Sequence, residues 1–292
     1  MKDEIIDCLA YDGKVSIKCI SSREIVETAR KLHDLSLTAS AALGRLLTIT
    51  SIMGYELKTE NASITNQVKG DGPIGIVTAV ADCHGNVKGY VGDSKIDLPL
   101  RESDGKLDVG GAVGKQGMLY IIKDLGIGKP YVGMTPIVSG EIAEDFTNYF
   151  ATSEQTPTVI ALGVLVDKNG IKSAGGYKLS LMPDAGEEEI SKIEEQIKNI
   201  EPVSKMLDEN KTLEEIAKIV TGDENLQVLE RIEPKFECNC SREKCEKGLI
   251  AIGKKELESI IKEEEKIQIE CNFCNSKYEF TREELQEIVA KM

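Results

Sequence analysis

Two short stretches near the end of the chain decide how it is read: Cys238-Asn239-Cys240 and, thirty residues further on, Cys271-Asn272-Phe273-Cys274. Four thiolates carried on two turns can close a tetrahedral zinc site with bonds of about 2.3 Å. Each tight pair supplies two ligands from one turn, so loop-closure entropy is met once, for the connection between the pairs. The second pair sits in a hairpin pattern, with Ile267-Gln268-Ile269 before it and Lys277-Tyr278-Glu279-Phe280 after it. A helix follows, opened by the capping box Thr281-x-x-Glu284. So small a region buries little core, and a metal staple is a physically reasonable way to hold it.

The same sulfurs have a second chemistry. The Cys-x-Cys pair can be oxidised to a very small ring whose strained geometry makes it easy to reduce. Metal-bound thiols are deprotonated, and thiolates are what oxidants attack. If the metal organises this region, its loss is also unfolding. Arg242, Lys244, Lys235 and Lys277 either offset the negative charge of the site or are solvated surface groups, the commoner case. Cys245 lies outside both pairs and reads as a bystander. Cys8, Cys19 and Cys83 fall near predicted strands and read as small buried residues.

Working outward, the chain has 292 residues, enough for two or three domains. Lys and Arg number 36 against 50 Asp and Glu, a net charge of −14, which opposes broad contact with a phosphate backbone. The clearest shift in composition is Pro183 to Glu233, which alone carries net −9. Eight Cys are far too few for a disulfide scaffold. The acidic start Met1-Lys2-Asp3-Glu4 has no apolar stretch behind it and does not read as a signal peptide, so a reducing cytoplasm is the expectation. The longest apolar stretch, Ala39 to Met53, is broken by Arg45 and falls short of the roughly 20 residues that span a bilayer, so no membrane partner is expected.

The fold class expected is α+β in three parts. Residues 1–182 form a core domain of mixed sheet and helix. Strands are expected at Val15–Ile20, Ile74–Ala81, Val87–Val91, Val159–Val166 and from Ile171 onward; helices at Arg23–Leu32 behind a Ser22 cap, Thr38–Leu57 and Glu141–Phe150. Residues 183–233 form an acidic, metastable helical linker. Its stripe of Ile190, Ile193, Ile197 and Ile200 recurs at helical spacing, and Thr212-x-x-Glu215 is a capping box. Narrow stripes and fifteen mutually repelling acids make these helices dependent on docking. Residues 234–292 form the C-terminal zinc module. Two glycine motifs mislead. Gly70-Asp71-Gly72-Pro73-Ile74-Gly75 precedes a strand-like run rather than a helix, and Gly110–Gln116 has Val109 and Gln116 where a phosphate loop needs Gly and Ser/Thr, so no nucleotide is expected. The only histidines, His33 and His84, lack a nucleophile–carboxylate pattern, and no catalytic residue is assigned.

Thr38–Leu47 (TASAALGRLL), Val68–Gly75 (VKGDGPIG), Gly85–Val91 (GNVKGYV) and Ser139–Thr156 (SGEIAEDFTNYFATSEQT), with the two Cys pairs, resemble the redox-regulated 33 kDa chaperonin family of holdases over nearly the whole chain. The resemblance implies one zinc held by Cys238, Cys240, Cys271 and Cys274 in an inactive reduced form. It implies oxidation to Cys238–Cys240 and Cys271–Cys274 disulfides, zinc release, and unfolding of the module and linker. The active form would be a homodimer that holds unfolded clients without ATP and hands them to ATP-dependent foldases. The linker stripe Ile190, Ile193 and Ile197, together with the core face it covers, is the candidate client surface. Two alternatives remain at this stage: a zinc-ribbon nucleic-acid binder, opposed by the net charge, and a thiol–disulfide oxidoreductase using Cys271 and Cys274, opposed by the commitment of all four Cys to metal.

Overall fold

Strand β1 (Glu4–Ala10) buries side chains on both of its faces, as a strand does when its sheet is covered on each side. Both covers are visible in the computed structural model, which describes residues 2–292. The chain divides into two units, the first running to Glu237 and the second spanning Cys238–Met292.

In the first unit, β1 joins β2 (Val15–Ser21), β8 (Thr158–Asp167), β9 (Gly170–Leu181) and β10 (Gln227–Ile232) in an antiparallel sheet of order β10-β1-β2-β9-β8. A second antiparallel sheet runs β5-β4-β3-β6-β7, from β3 (Ser63–Gly70), β4 (Ile76–Asp82), β5 (Val87–Val91), β6 (Gly117–Asp124) and β7 (Tyr131–Pro136). The motif Gly70–Gly75 is the turn from β3 into β4, so the chain there leads into a strand, without the helix N-terminus a dinucleotide would need.

Helix α2 (Leu37–Tyr55) packs against strands of both sheets. Sixteen of its nineteen residues are buried. A helix enclosed all round has no need of a polar face, which explains its Ala- and Leu-rich composition. It is long and apolar enough to cross a bilayer, but its surface is taken up by the core of the protein instead. Small residues set how close it comes: a side chain at Gly54 would meet the Asp82 carbonyl oxygen at 2.5 Å. Arg45, the charge that breaks its apolar run, reaches the Glu141 carboxylate at 2.5 Å, and Arg101 meets the same carboxylate at 2.7 Å.

Three shorter helices complete this layer: α1 (Arg23–His33), α3 (Val109–Val113) and α4 (Ala143–Thr152). Ser22 stands at the start of α1 but does not cap it; its hydroxyl bonds Thr48 instead, at 2.7 Å. The capping role falls to Asp3, whose carboxylate accepts from the amides of Glu24 at 3.0 Å and Ile25 at 2.7 Å. Ahead of α4, the buried Asp145 carboxylate accepts from the amides of Val138, Ser139 and Ile142 at 2.8–3.0 Å. It thereby fixes Ile142 at φ +72°, a left-handed conformation that a β-branched residue rarely adopts.

The acidic segment forms α5 (Glu187–Lys198), α6 (Val203–Asp208) and α7 (Leu213–Thr221). These lie on the outer face of the first sheet. Ile193, Val203, Met206, Leu207, Ile216, Ala217 and Val220 share one apolar cluster with Ile6, Cys8, Val15, Ile17, Cys19, Tyr177 and Leu179. Thr212 and Glu215 form the expected capping box on α7. Two features differ from a purely helical linker. Gln227–Ile232 is strand β10, paired with β1, and the first unit extends through the segment to Glu237. The segment is therefore docked onto the sheet and partly woven into it.

Candidate metal centre

The second unit consists of α8 (Arg242–Ile252), α9 (Lys254–Glu263), the hairpin β11 (Lys266–Glu270) and β12 (Lys277–Thr281), and α10 (Arg282–Ala290). Its buried core is five side chains: Leu249, Leu257, Phe280, Leu285 and Ile288. The capping box of Thr281 and Glu284 starts α10 as the sequence predicts.

Cys271 and Cys274 occupy the turn of the hairpin. The Cys271 carbonyl accepts from the amides of Cys274 at 3.3 Å and Asn275 at 2.8 Å, and Asn275 takes φ +55° to close the turn. Cys238 and Cys240 lie on the extended approach to α8, whose first turn is capped by Ser241. The two stretches bring all four sulfurs within 4.8 Å of one another; among the described residues this is the one such gathering of His, Cys, Asp or Glu donors. Cys238 and Cys271 sulfurs are 3.7 Å apart, and those of Cys240 and Cys274 are 3.2 Å apart. A regular tetrahedron with arms of about 2.3 Å has edges of about 3.8 Å. The four sulfurs thus stand at the spacing of a tetrathiolate cage, and the donor set fits a divalent, thiophilic ion.

The electrostatics of the bare sulfurs point the same way. Burial pushes the Cys238 thiol up to about 12 and raises that of Cys271. Burial also works against the Cys274 thiolate, but the hydroxyl and amide of Ser276 and the neighbouring thiols outweigh it and bring Cys274 down to about 6. Four thiolates packed this closely repel one another, and a bound cation is what would let all of them ionise together.

Tyr278, which sequence reasoning missed, places its hydroxyl 3.1 Å from the Cys240 sulfur; this contact raises the phenol above its usual range. No local signal marks this contact, which exists only once the hairpin pairs Tyr278 with Ile269. The nearby basic residues have other partners. Arg242 binds Glu284 at 2.6 Å and stacks 4.2 Å from the Phe280 ring centre. Lys244 donates to the Asn239 carbonyl at 2.7 Å, Lys277 faces Glu270 at 3.8 Å, and Lys235 faces Glu237 at 3.0 Å. Cys245 packs at the edge of the small apolar core. Of the proposed client stripe, Ile193 is buried and Ile190 and Ile197 are half-buried; Ile193 and Ile197 belong to the apolar cluster on the outer face of the first sheet.

Fold and site together define an α+β protein whose small C-terminal unit gathers around four convergent thiols, with a large two-sheet unit before it. The chain matches the Hsp33 protein family over residues 3–281 and belongs to that family of chaperones. It is 46% identical to the 33 kDa chaperonin of Clostridioides difficile, with complete coverage of both chains. It is 45% identical to that of Caldanaerobacter subterraneus, over 99% of this chain and 98% of the relative. The crystal structure of the 33 kDa chaperonin (heat shock protein 33 homologue) from Thermotoga maritima superposes with a TM-score of 0.89 at 38% identity, covering 100% of this chain and 99% of the other.

Proposed function

We propose that this chain is a redox-regulated, ATP-independent holdase of the cytoplasm, held inactive while Cys238, Cys240, Cys271 and Cys274 bind one zinc ion. Bound zinc would keep the four thiols ionised and the two turns together. The observation that carries the reading is the convergence of four sulfurs from two turns in a unit with only five buried side chains. Such a unit depends on its sulfurs for its fold.

Activation is a balanced oxidation. In each pair, two thiolates would give up two electrons to one peroxide, which takes two protons from solvent, forming one disulfide and two waters. Which sulfurs pair decides the outcome. The short contacts of the closed form cross between the turns, Cys238 to Cys271 and Cys240 to Cys274. Disulfides along those contacts would staple the unit shut. Pairing within each turn, Cys238–Cys240 and Cys271–Cys274, leaves no thiolate for a metal and no link between the turns. It is also the pairing that stays within reach once the unit loosens, because each partner lies on the same turn while the crossed partners part with the turns.

With the unit open, α5–α7 lose their docking. The stripe of Ile190, Ile193 and Ile197 and the sheet face beneath it then bind unfolding clients. The active form is a homodimer, and reduction returns clients to ATP-dependent foldases. The test measures zinc and free thiols before and after peroxide, beside light scattering of a thermally unfolding client. Expected are release of one zinc, disappearance of four thiols, within-turn disulfides by peptide mapping, and suppressed aggregation only after oxidation. Equal suppression before and after, or crossed disulfides in the active form, overturns the switch.

A further inference from the structure

Two thiols outside the metal centre share an unusual position. Cys8 on β1 and Cys19 on β2 are both wholly inaccessible to solvent. The register sets Cys8 opposite Ile17 and Ile6 opposite Cys19, so the two thiols are diagonal neighbours on one face of the sheet. Ile5 and Ile20, on the other face, pack with Ile52 of the core helix α2. The thiol face is covered by the acidic segment, through Met206, Leu207, Ile216, Ala217 and Val220. Burial pushes the Cys8 thiol up to about 12 and Cys19 well above the usual range. Docked, both are inert, because the thiolate is the reactive species.

We propose that Cys8 and Cys19 form a cryptic modification site for low-molecular-weight disulfides, opened when α7 leaves the sheet, and that the adduct then keeps α7 from returning. The inference rests on the proposed opening of the linker. Once exposed, each thiol returns towards its ordinary pKa of about 8.5. Its thiolate attacks one sulfur of a small disulfide, such as that of a cysteine-containing tripeptide. The new S–S bond joins the protein to one half. The old S–S bond breaks, and the other half leaves as a thiolate that takes up the proton the cysteine released. An adduct of tripeptide size has no room beneath Ile216 and Ala217, where packing leaves both thiols no exposed surface. The open form would therefore persist until the adduct is reduced.

The experiment incubates full-length protein with glutathione disulfide in three forms: reduced and zinc-loaded, peroxide-oxidised, and reduced Ile216→Asp, which undocks α7 without touching a cysteine. Ala217→Glu serves if Ile216→Asp does not fold. Adducts are mapped by mass spectrometry while hydrogen exchange follows the α7 amides. Expected is no adduct at Cys8 or Cys19 in the reduced protein and near-complete adducts at both in the other forms. Free exchange of α7 with Cys8 and Cys19 unmodified, or bonded to each other, overturns the site. Protection of α7 after peroxide instead overturns the redox opening, and the Ile216→Asp arm then decides the site alone.

Retention of the open form is read separately. Oxidised protein is capped with N-ethylmaleimide, which spares disulfides, then given dithiothreitol and zinc. The wild type should keep α7 unprotected, and the Cys8→Ser, Cys19→Ser double variant, treated identically, should recover protection. Recovery in both removes the blocking role of the adduct.

Discussion

Helix α2 and, under the proposed function, a metal-loaded four-sulfur cluster hold their surroundings together by opposite means. Around α2, sixteen buried residues meet two sheets, and the apolar cluster there runs through most of the first unit. In the second unit five buried side chains do the corresponding work. Each such side chain contributes about 1.5–3 kcal/mol, whereas a structural zinc site contributes about 10–16 kcal/mol. Stability spread over many contacts yields to no single chemical event; stability concentrated in four sulfurs yields to one. The acidic segment stands between these cases, docked by apolar contacts but capped and charged like a surface element. Under the proposed function, that difference would make the second unit the sensor and the first the robust scaffold.

The sharpest break in the comparison is removal of one sulfur. Cys271→Ser should abolish zinc retention and expose amides throughout Cys238–Met292, while β3 and β6 keep full protection in hydrogen exchange. Persistent protection in the second unit would mean that its five-residue core suffices. Asp145→Ala is the counterpart in the first unit. It strips the acceptor from the amides of Val138, Ser139 and Ile142, and should lower the stability of that unit by about 2–4 kcal/mol, as orphaned buried donors do. Zinc stoichiometry should not change. The chain lacks Trp, so circular dichroism in denaturant is the suitable measurement. Thr212→Ala removes the cap of α7 and should ease undocking by about 1 kcal/mol. Its readout is faster exchange of α7 amides with neither unit unfolded; unchanged exchange would show that the cap contributes nothing to docking.

What was legible in the sequence was local. The Cys pairs, the capping boxes at Thr212 and Thr281, and the β8–β9 hairpin with its Asp167-Lys168-Asn169-Gly170 turn each announce themselves within a few residues. Illegible features depend on partners far along the chain. Strand β10 is mostly polar and exposed, with Leu229 facing solvent, so its sequence carries no alternation; its strand state comes from pairing with β1 at the other end of the unit. Ser22 has every local attribute of a cap, yet Asp3 takes the amides because β1 delivers it there. The contact between Tyr278 and Cys240 needs the hairpin folded before it exists.

The smallest expected effect concerns pH, and it separates the first unit from the second in a different way. Glu27 on α1 is held down to about 2, chiefly by the paired hydrogen bonds from Arg30 at 2.8 Å, with the Ile171 amide adding a further contact at 3.1 Å. Its folded pKa lies below its ordinary value near 4.5. The stabilisation is therefore fully present above about pH 4.5 and lost as pH falls towards 2. Solvent near the pair limits it to about 1 kcal/mol. Against the wild type, Glu27→Gln should lower the calorimetric midpoint of the first unit at neutral pH by a few degrees, and the gap should close as pH approaches 2. Because the Ile171 amide ties α1 to β9, the same variant should leave the second unit and its four-sulfur cluster untouched at neutral pH. A gap that stays constant with pH would mean that Glu27 acts through packing rather than charge.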